Sequence, residues 1–301
     1  MPETVIHAAA LPTMMTADQL RLRSDDDGGI QVDPTRAGWR YLSFRALSLA
    51  GGGAETLDPG HEHLVVVIHG ADVRVETAAG EPVDVAGRAS PFISLPAAAY
   101  VPAGHGGVVR TAADVAAERS LVAIASAPPS GRAGVADAPQ AITRADITVE
   151  VRGAGNATRQ INHIVTPDFP ADRLEVVEVL TPSGNWSSWP PHKHDTDDMP
   201  TEAVLEEVYY YQFGRPEGWG LQRLYRADRS RDCNWEVRSG DVVLVTDGYH
   251  PFVAAHGDDA YYLNALAGDR RTMACSFDPD YDWVRETWAD LPPDPRVPLV
   301  R

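Results

Sequence analysis

Short apolar runs alternating with polar positions recur along the whole chain and predict strands. In the first half, residues 41–49 (YLSFRALSL), 64–69 (LVVVIH), 71–76 (ADVRVE), 92–95, 99–101 and 120–125 are β-rich and bounded by Gly, Pro or Asp. The second half repeats the rhythm at 147–152, 174–180, 205–213, 220–226, 235–237, 241–246 and 260–266. Helical periodicity is scarce, and residues 281–288 (YDWVRETW) are its best example. Between the halves, residues 126–140 (SAPPSGRAGVADAPQ) have the composition of a linker. The expected domains are therefore residues 1–140 and 141–301.

Two marks recur in each half in the same order. His61-Glu-His63 precedes a strand, and Val101-Pro-Ala-Gly-His105 follows later; His192-Lys-His194 and Val245-Thr-Asp-Gly-Tyr-His250 echo them. The offset is 131 residues at the first mark and 144 at the second glycine, Gly104 to Gly248. The expectation is an all-β protein of two tandem antiparallel jelly-roll barrels, each hiding its sheet edges and leaving a pocket inside.

Composition narrows the function. A chain of 301 residues exceeds the size at which one core comfortably keeps growing. Its net charge of −17 disfavours phosphate backbones and anionic lipid, so the reading is no nucleic-acid and no membrane partner. Cys233 and Cys275 fit neither a disulfide framework nor a cysteine zinc site and are expected as reduced, structural thiols. No apolar run reaches the ~18 residues of a membrane span, and the start, MPETVIHAAALPTMM, lacks the basic residues of a signal peptide. A cytoplasmic protein is expected.

The candidate chemistry lies in the second half. In an extended chain His192 and His194 project to one face. Two imidazoles so placed suit Zn, Fe, Cu, Ni and, with a carboxylate, Mn. Glu206-Glu207 offers the carboxylate, and parity chooses between them. Glu207 shares its face with Leu205, Tyr209, Tyr211 and Phe213, an apolar lining in which a charge needs compensation; Glu206 shares an outer, partly wet face with Val208, Tyr210 and Gln212. The plainer alternative for Glu207 is a buried ion pair with an Arg. His250, after an apolar strand and a Gly-containing turn, completes a three-His, one-Glu set. Lys193 should point away from the ligands, and Arg270-Arg271 reads as a solvated pair.

This order of HxH, Glu and G-strand-turn-G-H resembles the cupin superfamily. More narrowly, SSWPPHKHD (187–195), LEEVYYYQF (205–213), LQRLYRADRS (221–230), GDVVLVTDGYHP (240–251) and YYLNALAG (261–268) resemble the 5-deoxy-glucuronate isomerase family of inositol catabolism. The long gap between HxH and Glu is typical of that family; Thr246 departs from the proline that many cupins carry in the turn. The related pectin-derived hexuronate ketol-isomerases share the metal set but lack the LEEVYYYQ and LQRLY pattern.

The resemblance implies a bicupin whose C-terminal barrel is catalytic. One divalent ion per chain, Zn or Mn with Fe also suitable, would sit on His192, His194, Glu207 and His250. The implied reaction turns 5-deoxy-glucuronate into 5-dehydro-2-deoxy-gluconate through an enediol. Tyr209, Tyr211 or Tyr262 would donate hydrogen bonds beside Glu207, and Arg223 is the first choice for the carboxylate of the uronate substrate. His61, His63 and His105 echo the C-terminal ligands, but the strand after His63, residues 64–68, carries no carboxylate, so the N-terminal barrel is read as degenerate, kept for packing or a homo-oligomer contact, with a second metal site as the alternative. Rival functions are a non-haem iron dioxygenase and a non-catalytic sugar-binding cupin.

Overall fold

The structure is a computed structural model that describes residues 15–25, 28–78, 80–112 and 119–301. The first fourteen residues, on which the absence of a signal peptide was read, lie outside the described part. Each half builds one large antiparallel sheet and one four-stranded sheet, and the C-terminal half adds a two-stranded one. The N-terminal large sheet runs Gln140–Ile142, Ala98–Val101, Glu62–His69, Ser120–Ala127, Ser43–Leu49, Ile30–Val32; the C-terminal one runs Arg21–Leu22, Val242–Val245, Leu205–Phe213, Ala260–Gly268, Leu174–Thr181, Arg159–Val165, Thr148–Arg152. Among the described residues, no helix is long and apolar enough to cross a membrane.

The expected boundary after residue 140 is crossed from both sides. Arg21 and Leu22 pair with Val243 and Val242, on the edge of the C-terminal sheet, while Gln140–Ile142 closes the edge of the N-terminal sheet against Ala98–Tyr100. The N-terminal half thus lends the C-terminal sheet a short strand that covers an otherwise open edge, and the strand that straddles the boundary does the same for the N-terminal sheet. No sequence periodicity carries that exchange, because two- and three-residue strands are too short to show one.

The two large sheets share one core, with Phe44, Leu64 and Tyr100 from one and Val176, Tyr210 and Tyr261 from the other. Phe44 and Tyr210 meet across it with ring centroids 5.6 Å apart. Arg88 pairs with Glu178 in the same seam at 2.7 Å, both side chains essentially unexposed, and Asn162 donates to the same carboxylate. The face of Glu206 is therefore not the wet exterior expected. Val208 and Tyr210 are buried against the other barrel, and Glu206 accepts the main-chain N–H groups of Arg40, Tyr41 and Leu42 at 2.6, 2.9 and 2.8 Å. Glu62 does the reciprocal service, accepting from Asp172, Arg173 and Leu174.

Strand register corrects the reading of the repeat. His63 pairs with Val101 and Ser126 as Glu207 pairs with Val245 and Leu266, and Glu62 stands where Glu206 does. The offset at the glycines is thus the structural one, and the two HxH marks are not equivalent. His63 occupies the place of Glu207. It faces an interior filled by Val65, Val67, Val75, Val109, Val122 and Ile124. Residues 92–95, expected as a strand, form a turn, and residues 281–288 form a 3₁₀ helix over Asp282–Trp288.

Candidate metal centre and active-site cavity

Inside the C-terminal barrel three of the four expected ligands converge. One donor atom each from His194, Glu207 and His250 lies within 4.8 Å of the others, and all three residues are buried. His194 Nε2 is 2.9 Å and His250 Nε2 3.4 Å from the same oxygen, Glu207 Oε2. The fourth, His192, stands beside them: its ring centroid is 4.6 Å from that of His250 and 6.5 Å from that of His194. Its nitrogens fall outside the tight group. The short strand His192–Lys193 is held in place by pairing with Ser276–Phe277.

The outer nitrogens of two of these histidines are fixed by backbone carbonyls. His194 Nδ1 donates to Leu205 O and His250 Nδ1 to Gly248 O, each at 3.0 Å. Those bonds select the tautomer whose Nε2 lone pair points inward, the arrangement metal-ligating histidines need. His250 Nε2 is fully buried and has no hydrogen-bond partner among the described residues. A buried orphan nitrogen costs free energy unless something binds it; together with two inward imidazoles and a carboxylate, it fits a divalent cation. Burial, helped by the neighbouring imidazoles, holds His192 well below its ordinary pKa, and burial brings His250 to about 4. Burial pushes His194 the same way, but the hydrogen bond and charge of Glu207 outweigh it and raise the pKa.

Gly248 explains the turn that delivers His250. Its φ of 87° is left-handed, and a Cβ there would lie 2.4 Å from Tyr225 O. Its N–H donates to Asp195 Oδ2 at 2.7 Å, tying the turn to the HKHD segment. Lys193 points away from the site, as expected, and bonds Asp195, Thr196 and the buried Glu202.

The cluster opens on a cavity of about 560 Å³ whose lining includes His192, His194, Glu207, Tyr209, Tyr262 and Arg159. Tyr209 OH meets Ser188 Oγ at 2.8 Å and Tyr262 OH donates to Ser187 Oγ at 2.9 Å. Burial, with the Glu207 charge next for Tyr209, raises both phenol pKa values, so these hydroxyls stay neutral near pH 7. Tyr211 departs from its expected place: it is not part of the lining. It donates to Gln222 Oε1 at 2.5 Å, and Gln222 Nε2 in turn donates to His250 O. Tyr211 thus supports the His250 backbone from behind.

Arg223 also departs from its expected role. Gln222 faces inward, so Arg223 faces outward, where it forms a two-bond pair with Asp232 at 2.8 and 2.6 Å and stacks over Tyr225. The cations lining the cavity are Arg152, Arg159 and Arg285. The strand that carries Arg159 is hard to read from sequence, because Gln160 and Asn162 on its other face are buried and bond Val300 O and Glu178, so no apolar–polar alternation marks it. Arg271 is no solvated residue either; its guanidinium donates to the carbonyls of Thr166, Pro167 and Phe169. In the N-terminal barrel His63 bonds Ser126 Oγ and Asp58 O through its two nitrogens, His61 pairs with Asp58, and His105 Nε2 meets Asp137 O. Cys233 and Cys275 are free thiols, and Cys275 lines the cavity.

Comparison with known sequences matches residues 19–284 to the KduI/IolB family. The chain belongs to that family. As a member it is 40% identical over 269 residues to a 5-deoxy-glucuronate isomerase of Geobacillus kaustophilus, covering 88% of this chain and 93% of the relative. A 5-deoxy-glucuronate isomerase of Listeria monocytogenes is 36% identical over 253 residues, 82% of this chain and 88% of that protein. Among solved structures, an IolB-like protein from Salmonella typhimurium superposes with a TM-score of 0.81 at 34% identity, covering 88% of this chain and 99% of that one. A Lactobacillus farciminis oxalate decarboxylase, 12% identical with a TM-score of 0.60 over 89% of this chain and 90% of that one, shares the fold.

Proposed function

We propose that this family member is a 5-deoxy-glucuronate isomerase, converting the aldose into the ketose 5-dehydro-2-deoxy-gluconate within inositol catabolism. The observation that carries the reading is the buried His194–Glu207–His250 cluster opening on a cavity large enough for a hexose; the relatives of that name support the choice of substrate. His194, Glu207 and His250, with His192 beside them, would hold one divalent ion per chain. Their nitrogen-rich donor set with one carboxylate suits zinc or manganese, and iron fits the same donors.

An aldose–ketose exchange moves one proton from C2 to C1 and another between the two oxygens. A bound divalent ion supplies Lewis-acid polarisation of the carbonyl. The chain's own groups do the rest of the positioning. Tyr209 and Tyr262 present neutral hydroxyls, backed by Ser188 and Ser187, that donate to or accept from the sugar oxygens without creating a buried charge. Leu205, Leu266, Val177 and Val179 line the walls and limit water around the enediol.

The test is turnover of 5-deoxy-glucuronate under argon in D₂O, followed by proton NMR. Ketose formation with no oxygen requirement and with solvent deuterium at C1 supports the isomerase. Oxygen-dependent turnover would favour a dioxygenase; binding without turnover would favour a sugar-binding cupin.

A further inference from the structure

Three arginines line the cavity, and two of them already have acids. Arg152 bonds both oxygens of Glu150 at 2.7 and 2.8 Å, and Arg285 donates to Asp282 at 3.2 Å; both are about half exposed. Arg159 differs. It is 6% exposed, and its hydrogen bonds run from Nη1 alone to the carbonyls of Ala157 and Trp189, at 3.2 and 3.1 Å. No carboxylate among the described residues forms an ion pair with it. A buried guanidinium without a counter-charge is costly, and such groups are ordinarily paired.

The register sharpens the point. Arg159 lies directly opposite Arg152 across the antiparallel pair Thr148–Arg152 and Arg159–Val165. Like charges facing each other across strands are destabilising, and Glu150 forms its two arginine hydrogen bonds with the outer member, Arg152. Arg159, Ile161 and His163 share the strand face that lines the cavity. Burial lowers the Arg159 pKa to about 10, which leaves it charged near pH 7. The cavity therefore has a fixed positive pole besides the histidine–carboxylate cluster.

We propose that Arg159 is the receptor for the substrate's carboxylate, binding the anionic end of a uronate whose carbonyl end lies at the His194–Glu207–His250 cluster. The proposal rests on the isomerase reading for the identity of the substrate, and gives Arg159 the role that the sequence suggested for Arg223. A planar guanidinium with its Nε and Nη2 uncommitted matches a carboxylate by two parallel bonds, which a lysine ammonium cannot reproduce. Arg152 and Arg285 would tune the field at the mouth without being the primary partner.

The experiment compares 5-deoxy-glucuronate with its neutral analogue carrying CH₂OH in place of the carboxylate. Dissociation constants by calorimetry and kcat/KM are measured for the zinc- or manganese-loaded wild type, Arg159→Gln, Arg159→Lys and Arg223→Gln, with metal content and far-UV circular dichroism recorded for each. The wild type should prefer the uronate, and Arg159→Gln should lose about ten- to a hundredfold in uronate binding while the neutral analogue changes little. Arg159→Lys should lower the preference by at least about threefold, which keeps the test alive if the Gln variant does not fold. Arg223→Gln should leave the preference intact. A preference unchanged in Arg159→Gln or Arg159→Lys, or an equal loss for both ligands with metal retained, would overturn the assignment. Absence of turnover in the wild type would sink the isomerase reading alone, because the binding ratio still decides the role of Arg159.

Discussion

Replacing Glu206 with Ala removes the acceptor of three main-chain N–H groups, those of Arg40, Tyr41 and Leu42, while its neighbour Glu207 keeps its place beside His194 and His250. Hydrogen bonds to a charged acceptor contribute about 1.5–3 kcal/mol each when buried. Here the Arg40 end is exposed, so water would replace part of the loss. A net cost of about 2–3 kcal/mol is expected. With a urea dependence of about 2–3 kcal/mol per molar, that is a midpoint lowered by roughly 1 M. Metal content and turnover should survive, because the strand still carries Glu207 on its inner face. Glu207→Ala should give the opposite result, with metal and turnover gone and a smaller change in the urea midpoint of the metal-free protein. The assay is urea unfolding followed by tryptophan fluorescence, with metal analysis of the same samples. A Glu206→Ala protein that unfolds at the wild-type midpoint, or that loses its metal, would refute the division of labour assigned to the two carboxylates.

Two further outcomes follow from buried groups away from the site. Arg88→Ala leaves the unexposed Glu178 without its cation, and a loss of about 3–5 kcal/mol is expected; Arg88→Met with Glu178→Met should recover much of it, and equal instability of single and double variants in thermal unfolding would count against the pair as the seam's electrostatic lock. His63 is the pH-sensitive member. Burial lowers its pKa to about 4 in the folded chain, against 6.5 unfolded. Below about pH 6.5 the unfolded chain takes up a proton there that the folded chain refuses, so stability falls as pH drops towards 4, by up to about 3 kcal/mol. His63→Gln should flatten that slope between pH 7 and 4.5, and an unchanged slope would show that other groups set it.

The alternation in residues 205–213 was enough to place Glu207 inside and Glu206 outside the C-terminal barrel, because period-two parity survives whatever the second face packs against. What that face packs against was not legible. Val208 and Tyr210 look like one side of any strand, and only the pairing of two sheets shows that they meet Phe44 and its neighbours. The HxH repeat misled for a related reason: two short identical patterns need not occupy equivalent registers, and His63 stands at the register of Glu207 rather than that of His194. Its two ring nitrogens are already engaged by Ser126 and Asp58. Arg223 was chosen from a local motif, and its partner Asp232 lies on the adjoining hairpin strand. Arg159 was invisible because its charge is interpretable only once its lack of a counter-charge is known, and that is a property of the folded surroundings.

The proposed isomerase would hold one catalytic divalent ion in its C-terminal barrel on His194, Glu207 and His250, with His192 beside them. Elemental analysis of the wild type and the Glu207→Ala variant, each assayed for 5-deoxy-glucuronate turnover, checks that arrangement. About one zinc, manganese or iron per chain is expected in the wild type, with metal and turnover lost together in the variant. A metal-free but active wild type, or a variant that keeps both metal and turnover, would contradict it.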